Sequence, residues 1–178
     1  MTTLTAIEEM LRDQSPKPPL EKWQPALSGD IDIRIDGRGD WYHEGTLIQR
    51  HALVKLFASI LRRESDGEYY LVTPVEKWRV RVEDAPLFAV DMEIVDVDER
   101  KIWFRLNVDD LVLLDSVHAL DMRAHAGAEA QPYLQLDNGL AAKLTTSVFY
   151  RLVDAAEQRD DELGVRSAGQ WFSLGKIN

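Results

Sequence analysis

The chain contains no cysteine. That excludes disulfides, thiolate nucleophiles and Cys-ligated zinc or iron–sulfur sites together, and it is compatible with a reducing compartment. Long apolar runs are missing too. The longest purely apolar stretch near the middle, Leu111-Val112-Leu113-Leu114, falls far short of the ~20 residues that cross a bilayer. The opening Met1-Thr2-Thr3-Leu4-Thr5-Ala6-Ile7-Glu8-Glu9 has neither a basic flank nor a long apolar core, so no secretory signal is expected. Positive charge is scarce: 21 Lys and Arg stand against 31 Asp and Glu, a net charge of −10. Nucleic-acid binders concentrate basic residues because contact with phosphates releases counterions. Neither nucleic acid nor membrane is therefore an expected partner, and the expected location is the cytoplasm.

Motifs with an unambiguous chemistry are also absent. His43-Glu44 opens like a zinc-protease motif, but Leu47 stands where the second His would have to be. His118, Asp121 and His125 would share a face on a helix, yet the local apolar period of two puts His118 and Asp121 on opposite sides of a strand. Gly37-Arg38-Gly39 lacks a third glycine and a following helix, so it reads as a turn and not as a phosphate loop. There is no Gly-x-Ser-x-Gly elbow, and nothing marks Ser59, Ser116, Ser147 or Ser167 as a nucleophile. The acidic middle, from Glu83 and Asp84 through Asp91, Glu93, Asp96, Asp98 and Glu99 to Asp109, Asp110, Asp115 and Asp121, reads as a solvated face. A divalent-cation site is the alternative there. No cofactor and no metal is implied.

What the chain does have is a unit that occurs twice: strand, Asp-Gly or Asn-Gly turn, strand, amphipathic helix, strand. The first copy starts at Ile31-Asp32-Ile33-Arg34-Ile35-Asp36-Gly37, and its helix carries Leu53, Leu56, Phe57, Ile60 and Leu61. The second starts at Leu134-Gln135-Leu136-Asp137-Asn138-Gly139, and its helix carries Val148, Phe149, Leu152, Val153 and Ala156. Trp41 to Ile48 is expected as the first return strand, and the helix after Arg50 to about Arg63. A β-rich run then marks a strand at Tyr69–Thr73, and alternation marks strands at Trp78, Val80 and Val82, at Val90 to Ile94, at Ile102 to Leu106 and at His118 to Met122. A last hairpin runs from Val165 to Leu174, turning at Ala168-Gly169. The fold class is α+β, two small domains with mostly antiparallel sheets. The expected divisions are an N-terminal helix and Pro-rich linker at 1–19, a first domain at 20–78 and a second at 79–178. Leu4, Ile7, Met10 and Leu11, with Thr5-x-x-Glu8 as a capping box, define that first helix.

The segment from Trp41 to Trp78 gathers aromatic rings and charges around one helix. Such a set can line an apolar pocket with a few orienting polar groups. It can equally form an ordinary sheet core, where Trp and Tyr find backbone partners for their polar tips. Glu76, Glu83 and Asp84 flank Trp78-Arg79-Val80-Arg81. A carboxylate in a dry site there could act as acid or base, and structural ion pairing is the competing reading.

Trp41-Tyr42-His43-Glu44-Gly45-Thr46-Leu47-Ile48, Arg50-His51-Ala52-Leu53-Val54-Lys55-Leu56-Phe57 and Leu71-Val72-Thr73-Pro74-Val75-Glu76-Lys77 recur together with Val82-Glu83-Asp84-Ala85-Pro86. With Pro132-Tyr133, Asn138-Gly139-Leu140-Ala141, Leu163-Gly164-Val165 and Gly169-Gln170-Trp171-Phe172, this order resembles an uncharacterised bacterial family, domain of unknown function 1285. The resemblance spans roughly residues 22 to 175. It implies two domains sharing a repeated motif, a C-terminal half loosely pleckstrin-homology-like, a ligand site near the domain interface and a role in signal transduction or regulation. Lys143 stands where the family more often has Arg, and a lysine offers only a point charge.

These observations lead to a non-catalytic ligand-binding or regulatory protein. The expected site residues are Trp41, Arg50, Tyr70, Thr73, Glu76, Trp78 and, from the second copy, Lys143. Arg50 and Lys143 would meet an anionic group, and the rings would stack on a flat one. The expected partner is thus a small anionic or flat ligand. Two alternatives remain: a small hydrolase or isomerase using Glu76, Glu83 or Asp84, and an interaction module that adds a partner strand to an open sheet edge.

Overall fold

A computed structural model describes residues 17–177. The N-terminal helix expected around Leu4 to Leu11 lies outside the described residues. The chain divides into two compact units, one running up to Pro86 together with Asn138–Leu140, the other comprising Leu87–Asp137 and the chain from Ala141 onward.

In the first unit a hairpin of β1 (Gly29–Ile35) and β2 (Trp41–His43) turns through Asp36 to Asp40. The Asp36 carboxylate ties this turn by accepting from the backbone N–H groups of Arg38 (2.9 Å) and Asp40 (3.0 Å). Then come β3 (Thr46–Leu47), α1 (His51–Ala58) and the meander β4 (Leu61–Arg63), β5 (Tyr69–Val72) and β6 (Lys77–Val82). The six strands form one sheet in the order β3-β2-β1-β6-β5-β4, with β6 joining β1 in parallel. Trp41, on the same face as Ile35, stacks on Phe57 of α1 with ring centroids 6.4 Å apart. Ile33, Ile35, Phe57, Ile60, Leu61 and Leu71 are fully buried.

In the second unit a long hairpin of β7 (Leu87–Val97) and β8 (Glu99–Leu106) turns at Asp98, whose φ is 62°. After β9 (Leu111–Leu113), β10 (Leu120–His125), β11 (Ala128–Gln135) and β12 (Ala141–Leu144), the sheet order is β10-β11-β12-β7-β8-β9, with β12 parallel to β7. Thr145 caps α2 (Thr146–Asp154) by accepting from the Val148 N–H at 3.3 Å. The meander β13 (Glu157–Arg159), β14 (Glu162–Ser167) and β15 (Gln170–Lys176) forms a separate sheet. Every strand pairing described apart from β1–β6 and β7–β12 is antiparallel. Among the described residues no helix is long and apolar enough to cross a membrane.

The two copies of the motif are therefore real and longer than the sequence shows: each is hairpin, helix, three-stranded meander. They differ in what adds to the hairpin. β1 has a free edge, and the first meander completes the sheet through β6. The second hairpin has β10 on one side and β7 on the other, so its meander stays apart. Ser167 ties that meander down: its buried hydroxyl accepts from the Ile102 N–H (2.9 Å) and donates to the Leu114 carbonyl (2.7 Å). This is a structural serine.

Three expectations are corrected. The helix after Arg50 ends at Ala58, and the apolar residues that extended its period, Ile60 and Leu61, are buried in the turn into β4 and in β4 itself. The Ser59 hydroxyl donates to the Leu56 carbonyl at 2.5 Å as that last turn closes. The return strand expected from Trp41 to Ile48 is a tight hairpin, because Glu44 and Gly45 take φ of 50° and 80°. The first unit runs to Pro86, not to residue 78, since β6 is bonded to β1 and β5 on its two edges.

The Gly164-Trp171 pair in the last sheet explains one matched motif. A Cβ on Gly164 would lie 2.4 Å from the Trp171 ring, whose Nε1 donates to Glu162 at 2.8 Å. Gly164→Ala is expected to destabilise the protein by about 1–3 kcal/mol through overpacking, read as a lower urea midpoint with an unchanged slope. A midpoint equal to the parent's would show that the indole and the Phe172 carbonyl, 2.6 Å from the added Cβ, both give way at no cost.

Candidate functional site

Strand alternation sorts the residues expected around Trp41 and Trp78 onto opposite faces of the first sheet. Trp41 (1% exposed) and Trp78 share the face covered by α1, where Leu71 pairs with Trp78 and the Trp78 ring lies over Gly29. The two indole N–H groups are buried without a hydrogen-bond partner among the described residues. Tyr70 points to the other face. Thr73 is fully buried and structural: its Oγ1 accepts from the Glu76 N–H (3.0 Å), closing the turn around Pro74. Glu76 is half-buried on that turn, and Arg50 is exposed at the start of α1.

The face carrying Tyr70 holds a charged network that the sequence did not disclose. Register places Arg62, Tyr70, Arg79 and Asp30 in one cross-strand row. The Arg62 guanidinium donates to Glu64 Oε2 through Nε (3.1 Å) and Nη2 (2.6 Å), and through Nη1 to the carbonyls of Leu20 (3.1 Å) and Trp23 (2.9 Å). Lys77 Nζ completes the cluster 2.8 Å from Glu64 Oε1 and 4.7 Å from the Tyr70 ring centre. Tyr70 donates its hydroxyl to Asp66, and Arg79 reaches Asp30 at 3.2 Å. Burial pushes the Glu64 carboxyl up, but Lys77 and Arg62 outweigh it and hold the group below its ordinary 4.5. The hydrogen bond to Asp66, reinforced by burial, raises the Tyr70 phenol. Glu64 serves both Arg62 and Lys77, Asp66 takes the Tyr70 hydroxyl and Asp30 meets Arg79, whose buried Nε makes no hydrogen bond among the described residues, so most of this face is committed to anchoring the segment around Leu20.

Of the acid–base candidates, Glu83 is committed to structure. It accepts from Arg34 (2.9 Å) and from the Gly37 N–H (2.8 Å), tying β6 to the first turn. Among the described residues no three His, Asp or Glu side chains gather closely enough to hold a metal. His118 lies in a turn ahead of β10, with Nε2 3.0 Å from Asp137 and Nδ1 3.5 Å from Asp115.

The second unit holds Lys143 and a groove that the sequence reading missed. Lys143 is on β12, opposite Tyr133, with its Nζ 5.9 Å from that buried ring; Arg123 covers the ring at 4.3 Å. The groove, of about 240 Å³, lies on the outer face of β7, β8 and β9. Its floor is Trp103. Glu93 and Leu113 stand directly across from Trp103 on the neighbouring strands, and Asp91 and Leu111 flank Arg105 in the same way. Val95 and Leu111, the latter 61% exposed, complete the apolar lining. Arg151 of α2 donates to Asp91 through Nη1 and to the Met92 carbonyl through Nη2 (2.6 Å). That bond, helped by the Met92 N–H, keeps the Asp91 carboxyl below its ordinary range. The available signal was parity. With Ile102, Phe104 and Leu106 inward, a tryptophan at 103 must stand on the outer face.

The fold and these two faces define a two-domain α+β protein built on a repeated hairpin–helix–meander motif. Comparison with known families agrees. The N-terminal domain of DUF1285, a domain of unknown function, matches residues 18–85, and the C-terminal domain of the same protein of unknown function matches residues 86–174. The crystal structure of a DUF1285 family protein from Silicibacter pomeroyi DSS-3 is 36% identical, with a TM-score of 0.91 over 99% of this chain and 97% of that one. Another DUF1285 family protein, from Shewanella baltica OS155, is 37% identical with a TM-score of 0.55, over 68% of this chain and 90% of that one. No curated protein matches the chain. The chain belongs to the DUF1285 family.

Arg62 and Glu64 yield a stability prediction. Arg62→Met leaves Glu64 and two carbonyls short of a donor and should cost about 3 kcal/mol, measured by chemical denaturation. Because the folded carboxyl titrates below the unfolded one, Glu64 contributes fully above about pH 4.5 and loses its contribution as pH falls through its lower folded value. Glu64→Gln should therefore flatten the acid limb of stability against pH. An unchanged acid limb would assign that limb to other carboxylates.

Proposed function

We propose that this is a non-catalytic, cytoplasmic ligand-binding protein with a regulatory role, and that its ligand is a small molecule with a flat ring seated on Trp103. The observation that carries the reading is the groove itself: an indole on the outer face of a sheet, walled by Val95 and Leu111 and edged by charged groups. A half-exposed aromatic platform with a few orienting polar groups is what small-ligand sites are made of. On the first sheet most of the charged groups are engaged with one another and the tryptophans are packed against α1 and Gly29, which favours the Trp103 groove as the seat. In this proposal the ring-binding role, first expected of Trp41, Tyr70 and Trp78, falls to Trp103. Arg50, exposed, and Lys143 keep the anion-binding role as a proposal. The cysteine-free composition fits a reducing compartment.

A thermal-shift screen of flat heterocycles and aromatic acids tests the reading, because ligands of the folded state raise the melting temperature by mass action. The expected outcome is a hit whose affinity falls about tenfold or more in Trp103→Leu, since stacking on an aromatic ring contributes on the order of 1–3 kcal/mol. Hits indifferent to Trp103→Leu, or no hit at all, would overturn it.

A further inference from the structure

We infer that the groove on β7, β8 and β9 selects a small aromatic zwitterion, with the ring on Trp103, a cationic group at Glu93 and a carboxylate at Arg105. The inference rests on the ring-seat reading above and adds the ligand's charge. Three charged side chains line the groove: Asp91, Glu93 and Arg105. Asp91 is spoken for, because Arg151 bonds it while also bonding the neighbouring Met92 carbonyl. Glu93 and Arg105 make no hydrogen bond or ion pair among the described residues, and each is exposed. One carboxylate and one guanidinium without a direct bond therefore edge the same indole, the guanidinium facing the already bonded Asp91 through charge alone.

Register fixes their arrangement. Glu93 stands directly across from Trp103, and Arg105 is two residues along β8 from Trp103, opposite Asp91. Glu93 and Arg105 are thus diagonal neighbours on one face, with Cα atoms about 7–8 Å apart. That spacing is too wide for regular pairing yet within reach of two long side chains converging on one small molecule. Lys101, opposite Val95, is the other diagonal neighbour of Glu93 but lies outside the groove lining. A singly charged ring would satisfy one of the two groups and bring the other close to a like charge. An anion at Arg105 lies near Glu93, and a cation at Glu93 lies near Arg105. A zwitterion satisfies both, and the guanidinium fork suits a carboxylate. The groove's volume of about 240 Å³ fits one ring with a short polar tail.

The test uses three probes that share a phenyl ring and a short chain: phenylalanine, phenethylamine and 3-phenylpropionate. Binding to the full chain at neutral pH and low salt is followed through the indole N–H resonance of Trp103, assigned with Trp103→Phe. Phenylalanine should bind about threefold or more tightly than either singly charged probe, the scale of an exposed ion pair. Glu93→Gln should erase its advantage over 3-phenylpropionate but not over phenethylamine, and Arg105→Gln should do the reverse. Both positions are exposed, and unchanged melting temperatures confirm folding. Equal binding of all three probes would leave the ring seat standing and overturn the charge assignment. A singly charged probe that matches phenylalanine would overturn it as well. If no probe moves the Trp103 resonance, the ring seat itself falls.

Discussion

A side chain on a strand belongs to one face of its sheet, and a shift of one residue exchanges the faces. That constraint organises both units of this protein. In the first sheet it sends Ile33, Ile35, Trp41, Leu61, Leu71 and Trp78 toward α1, and Arg62, Tyr70 and Arg79 to the opposite side. In the second it sends Met92, Ile102 and Phe104 inward and leaves Glu93, Trp103 and Arg105 outward. The outer faces then differ in one respect that matters for function. Charges on the first are mostly bonded to one another, whereas on the second Glu93, Lys101 and Arg105 have no hydrogen bond or ion pair among the described residues.

The paired face has a structural task. Arg62 is almost buried, and a guanidinium in that position must have its donors matched or it opposes folding. Glu64 and the carbonyls of Leu20 and Trp23 match them, and Lys77 meets the second Glu64 oxygen. The network therefore fixes where the chain before β1 runs. A face whose hydrogen bonds are mostly made gains less from a ligand than one where unpaired groups stand beside an indole.

Repetition supplies the scaffold, and edge occupancy distinguishes the copies. Hairpin, helix and meander follow in the same order twice. In the first copy β1 offers an unpaired edge that β6 fills in parallel. In the second, β7 and β10 take both edges of the hairpin, so the meander closes on itself and is pinned through Ser167. Duplicated local sequence thus produces two different sheets, because a strand edge can pair with only one neighbour.

The sequence alone determined the local pieces: the Asp36-Gly37 and Asn138-Gly139 turns, the alternating strands, the two amphipathic helices, the repeat and the family. Turn chemistry and apolar period act over a few residues, so they can be read from neighbours in the chain. The helix end misled because Ile60 and Leu61 are buried in either conformation, and burial gives no sign of which backbone produces it. Tertiary structure alone decided which side chains meet. Arg62 finds carbonyls about forty residues earlier, Arg151 finds Asp91 sixty residues earlier, and Trp41 and Tyr70 part company. Those outcomes depend on strand register and sheet order, which are set by the whole assembly of strands and not by any one of them.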